Sequence, residues 1–136
     1  MRNQDLAKDY ISRAAGRLRA LDVLYEDGHW ADVVREAQEV VELALKAALR
    51  SHGVDPPRLH DVSDVLIAER DRLPAALTAE MDSLVRISRE LRRDRELAFY
   101  GAEDLTPSGF YSKADATRAR DGARLTVRVV RPHVPG

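Results

Sequence analysis

The chain has 136 residues, 22 of them basic and 23 acidic, so its formal charge is −1. That balance argues against a surface coated in positive charge for non-specific nucleic-acid binding, and it confines any anion site to a local patch. The length suits one domain, residues 1–136, and the absence of cysteine excludes disulfides and thiolate metal sites.

The opening MRNQDLAKDY lacks the apolar centre of a secretory leader, and no uninterrupted apolar run reaches membrane-spanning length. The expectation is a soluble cytoplasmic protein. Residues 5–26 then set Leu6, Tyr10, Ala14, Leu18, Leu21 and Tyr25 at steps of three and four, the period of an amphipathic helix. Asp27-Gly28 interrupts it. From His29 to His52 a second helix turns Trp30, Val33, Ala37, Val40, Val41, Ala44 and Ala48 inward, with Glu36, Glu39 and Lys46 largely outward. Gly53 is placed to cap its end, and Pro56-Pro57 forbid resumption.

A third, shorter helix is predicted over 61–72, burying Val62, Val65, Leu66 and Ala68. Pro74 suits the first turn of a fourth, whose stripe is Leu77, Met81, Leu84, Ser88 and Leu91 and which ends near Tyr100-Gly101. GAEDLTPSGFY has the composition of an ordered loop. Ser112-x-x-Asp115 reads as a capping box opening a fifth helix, with Ala116, Ala119, Ala123, Val127 and Val130 on one side. A weak period-2 pattern in LTVRVV has no partner strand and continues the helical stripe. The predicted fold is all-α, an up-and-down bundle of four to five helices with a long loop before the last. Its core is 5–131, and the tail 132–136 is expected to fray.

The candidates for chemistry sit late in the fourth helix, in RRDRELAFYG. On a helical wheel Arg95 falls inside the apolar stripe, between Leu91 and Ala98. A guanidinium there needs a carboxylate such as Glu42, or an opening onto a cleft or subunit interface. Arg86, Arg89, Arg93 and Tyr100 share another face, with Arg93 and Tyr100 two turns, about 10 Å, apart. Such a row can hold phosphates, with Tyr100 for stacking or as a donor. The bland alternative is a solvated face knitted by Glu90, Asp94 and Glu96. His29 opens helix two, His52 closes it, and His60 suits a structural hydrogen bond beside Asp61. His133 completes a set with no metal-ligand spacing, so neither metal nor cofactor is expected.

Residues 28–66, GHWADVVREAQEVVELALKAALRSHGVDPPRLHDVSDVL, resemble the second helix and following turn of the HEPN family. There Ala37-Gln38, Glu42, Lys46 and Ala47 fit the usual pattern, and His60-Asp61 fits its His-Asp. Residues 92–123, RRDRELAFYGAEDLTPSGFYSKADATRARDGA, resemble its fourth helix, loop and the start of its last helix. The resemblance covers 5–130 and implies a homodimeric helical bundle associated with nucleotidyltransferases or RNase toxins.

The family's metal-independent RNA cleavage uses an Arg followed, four to six residues on, by a His that moves protons. This chain departs from that pattern. From Arg93 the four-residue spacing reaches Ala98 and the six-residue spacing reaches Tyr100; from Arg95 the four-residue spacing also reaches Tyr100. No histidine occurs between His60 and His133. Tyrosine, with an ordinary pKa of about 10, is a poor substitute. Arg93, Arg95 and Tyr100 therefore form a degenerate motif, and no catalytic residue is expected.

The resemblance instead implies a phosphate-binding role for Arg92, Arg93, Arg95 and Tyr100, toward nucleotide or RNA, beside a minimal nucleotidyltransferase encoded nearby in a toxin–antitoxin-like module. If Ala98 takes the histidine's place, Tyr100 takes that of a tyrosine to which such a partner attaches AMP; the alternative alignment puts Tyr100 in the histidine's slot. An RNase toxin and a purely structural oligomerisation domain are the competing readings.

Overall fold

A computed structural model describes residues 2–56, 58, 61–100 and 107–135; the side chains of 2, 94–100, 107 and 108 fall outside that description. The elements in order are α1 (Arg2–Glu26), α2 (Trp30–Ser51), α3 (Val62–Ala68), a 3₁₀ turn (Arg70–Arg72), α4 (Ala75–Thr78), α5 (Met81–Tyr100), α6 (Pro107–Phe110), α7 (Lys113–Val130) and a final 3₁₀ turn (Arg131–His133). There is no strand among the described residues, and LTVRVV is helical.

The bundle is organised around α2, which packs against α1, α5 and α7 at once. Three neighbours explain why its apolar surface wraps most of the helix: Val33, Val34, Val40, Val41, Leu45 and Leu49 are all inaccessible or nearly so. Ala37, Ala44, Ala47 and Ala48 between them let the neighbouring backbones come close. The turns at either end of α2 use glycine in the left-handed region, Gly28 at φ 77° and Gly53 at φ 81°. At the second, Val54 N–H donates to the Leu49 carbonyl at 2.9 Å and His52 Nδ1–H to the Ala48 carbonyl at 2.7 Å.

The predicted stripe of α7 is the observed one: Ala116, Ala119, Ala123, Val127 and Val130 are all buried. Its capping box is present, with Asp115 N–H donating to Ser112 Oγ and Ser112 N–H to Asp115 Oδ2. On α1 the buried line is Ala7, Ile11, Ala14 and Leu21, one residue round from the expected Leu6 and Tyr10. The small residues face α2, while Tyr10 and Leu18 pack at the margin.

Three expectations need correction. The third helix stops at Ala68, which is exposed, and a 3₁₀ turn replaces its last residues. The fourth is broken after Thr78, whose hydroxyl bonds back to the Ala75 carbonyl at 3.0 Å, and it restarts at Met81. The expected frayed tail is packed as far as Val134, which is buried, and the His133 carbonyl accepts from Ser51 Oγ at 3.2 Å. In the predicted loop, Pro107–Phe110 forms one helical turn and Tyr111 is buried behind it; residues 101–106 lie outside the described ones.

Candidate functional site

The short helix α3 docks on α5 and brings two acidic residues to its arginines. Asp61 is the N-cap of α3. Its Oδ1 accepts from Ser63 N–H at 2.9 Å and from Ser63 Oγ at 2.8 Å. Ser63 is fully buried, and its hydroxyl also accepts from Arg89 Nε at 3.2 Å. The same guanidinium donates through Nη2 to Asp64 Oδ1 at 3.0 Å, so Arg89 is engaged twice.

Arg92, nearly one turn further along α5, is held differently. Its Nη1 lies 3.9 Å from Asp61 Oδ1, and half of its side chain is exposed. Behind it stands a ladder on α2. Gln38 Nε2 donates to Glu42 Oε2 at 2.9 Å, and Lys46 Nζ lies 3.1 Å from Glu42 Oε1. Gln38 is almost wholly buried, and its Oε1 has no hydrogen-bond partner.

Both carboxyls are kept ionised. Burial pushes the Glu42 carboxyl up, but the hydrogen bonds from Gln38 and Lys46 and the charges of Lys46 and Arg92 outweigh it, leaving the pKa below the usual range. For Asp61, burial likewise pushes up and is outweighed by the two Ser63 hydrogen bonds and the charges of Arg92 and Arg89. The arrangement is a line of cations, Arg89, Arg92 and Lys46, over two fixed anions. It can present guanidinium N–H groups to a phosphate.

A family model for the HEPN domain matches residues 7–132. The chain belongs to the HEPN domain family. Neither a curated protein nor a solved structure matches it.

Of the residues predicted for the site of this HEPN domain, Arg92 and Arg93 are exposed on α5. The helix backbone runs unbroken through Arg95 to Tyr100, which sets Arg93 and Tyr100 on one side two turns apart. The side chains of Arg95 and Tyr100 lie outside the described residues, and so does the suggested Arg95–Glu42 pairing. Glu42 and Lys46, expected from the family pattern, pair with each other. The proposed row of Arg86, Arg89 and Arg93 is thinned, because Arg89 is taken up by Ser63 and Asp64. His60 lies outside the described residues, and among the described ones the hydrogen bonds that Asp61 accepts come from Ser63. No group of three or more potential metal ligands occurs among the described residues, nor is any described helix long and apolar enough to cross a membrane.

Sequence reasoning missed Asp61 and Ser63 as partners of the α5 arginines. An Asp two residues ahead of a Ser at a helix start signals a cap. The tertiary step, 26 residues from Ser63 to Arg89, has no local signal.

Proposed function

We propose that this HEPN domain is a homodimeric partner of a minimal nucleotidyltransferase that binds nucleotide or RNA phosphate, within a toxin–antitoxin-like module and without efficient RNase activity. The observation that carries this reading is Arg92. Among the described residues its nearest carboxylate oxygen is 3.9 Å away and already accepts two hydrogen bonds from Ser63, so that pairing orients the guanidinium without saturating it. A separation of that size is an ion pair rather than a hydrogen bond. The outward N–H groups remain suited to a phosphate, which a planar fork binds in bidentate fashion.

Arg93 and, about one turn beyond Arg92, Arg95 extend the same end of α5, and a twofold axis would double the patch. The family's proton-transferring histidine has no counterpart on α5. The arrangement therefore favours holding a phosphodiester over cleaving one.

The direct test is binding of a labelled single-stranded RNA and of ATP to the purified protein, with light scattering for the dimer. Arg92→Ala and Arg93→Ala should each weaken binding about tenfold while leaving the fold intact. Undiminished binding in both variants, or a monomer, would remove the reading. Cleavage of RNA in EDTA, abolished by Arg95→Ala, would replace it with the RNase alternative. With ATP and the neighbouring nucleotidyltransferase, Tyr100 should gain one or more AMP units by mass.

A further inference from the structure

A second cationic feature lies on other elements. α1 and the C-terminal turn enclose an open groove of about 400 Å³, with Ile11, Ala15 and Val134 as its floor and Lys8, Arg19 and Arg131 around it. No carboxylate among the described residues lines it. All three cations are exposed, and none has an ion-pair or hydrogen-bond partner among the described residues.

Their neighbours are treated otherwise. On α1, Arg13 sits by Asp9 and Arg17 binds Glu36 at 2.9 Å; on α7, Arg124 binds Asp22 at 2.8 Å. In a chain of net charge −1, three exposed cations around one groove that no described carboxylate lines concentrate positive charge locally. The far wall is fixed as well, because Val134 is buried and the turn is tied to α2 through Ser51.

We infer that this groove is a docking site for an acidic, aliphatic segment of a partner protein. Lys8 and Arg19 are separated by eleven residues of helix, about 16 Å, the span of about five residues of extended peptide. A segment laid along α1 would set carboxylates at its two ends against Lys8 and Arg19. Its aliphatic residues would cover Ala15 and Pro135 above the buried Ile11 and Val134, and a further acid would meet Arg131. Charge complementarity of this kind steers encounter and fixes register, and the aliphatic contact slows release. No aromatic ring lines the groove among the described residues. The stacking that holds single-stranded nucleic acid is thus missing, which favours a peptide over RNA.

The test uses the whole chain and fluorescence anisotropy of a labelled hexapeptide, Asp-Glu-Leu-Val-Glu-Asp, beside the same peptide with lysine for each acid and a labelled oligouridine. Wild type and the remote control Arg72→Glu should bind the acidic peptide equally and ignore the lysine peptide. Arg19→Glu with Arg131→Glu, and separately Ser12→Trp at the exposed groove edge, should each weaken binding about tenfold with unchanged circular dichroism. If the double variant fails to fold, Ser12→Trp decides alone. Absence of acidic-peptide binding to wild type, or binding that none of these variants disturbs, would overturn the inference. So would oligouridine binding that falls with the same variants while the peptide stays unbound, which would make the groove a nucleic-acid contact.

Discussion

Two arginines of this molecule sit beside carboxylates and are held in opposite ways. Arg50, at the end of α2, is enclosed: Nη1 donates to Asn3 Oδ1 at 3.0 Å, Nη2 lies 2.8 Å from Asp55, and the guanidinium lies 5.7 Å from the centre of the Tyr10 ring. Only 16% of its side chain is accessible. Arg92 on α5 keeps half of its surface and, among the described residues, a single loose ion pair. An arginine enclosed between Asn3, Asp55 and Tyr10 joins elements together, whereas one that is half exposed and merely oriented is ready for a ligand. Proximity to a carboxylate does not separate the two cases. The share of the side chain left open to solvent does.

The largest effect that sharpens the contrast lies beneath Arg50. Leu49→Ala, at a fully buried position, should cost about 2–5 kcal/mol in urea unfolding. Arg50→Ala should cost about 1–3 kcal/mol, because it removes a mostly buried side chain and its hydrogen bond to Asn3 and uncovers Tyr10. Arg92→Ala should change stability by less than about 1 kcal/mol, since its pairing is half exposed. Equal losses at Arg50 and Arg92 would break the distinction.

Asp61→Asn keeps a residue type that caps helices equally well and removes the anion beside Arg92. RNA affinity by anisotropy should rise several-fold, with little change in unfolding. A fall would show that Asp61 positions the guanidinium for its ligand instead of competing with it.

Acid provides the smallest and most graded test. Glu42, Asp61 and Asp115 all have folded pKa values below the ordinary range. The stability they contribute is therefore present above their unfolded values and lost as pH falls through the folded ones. Unfolding midpoints should be level from pH 7 to about 5 and decline below about 4. Asp61→Asn should make that decline shallower.

How much of this was legible in the sequence follows from the range of the forces involved. The stripe of α7 and its capping box were readable because both depend on residues three or four apart. The stripe of α1 was read correctly at Ala14 and Leu21 but one residue off in its first turns, where Leu6 and Tyr10 were expected and Ala7 and Ile11 are buried. The break after Thr78 carries neither proline nor glycine between Ala79 and Met81 to announce it. The polar end was half legible. Arg92, Arg93, Glu42 and Lys46 could be named, but that Arg89 would be drawn away by Ser63 and Asp64 depends on where α3 docks.

The placement of the arginine-bearing helix rests in part on a missing methyl group. A Cβ at Gly122 of α7 would lie 3.0 Å from Ile87 Cγ2, in the crevice where α7 meets α5. Alanine there would strengthen α7 by about 1 kcal/mol of helix propensity while wedging against the helix that carries Arg89 and Arg92. Helix propensity and close packing are thus opposed at a single position, and the give of the Ile87 side chain sets which of them prevails.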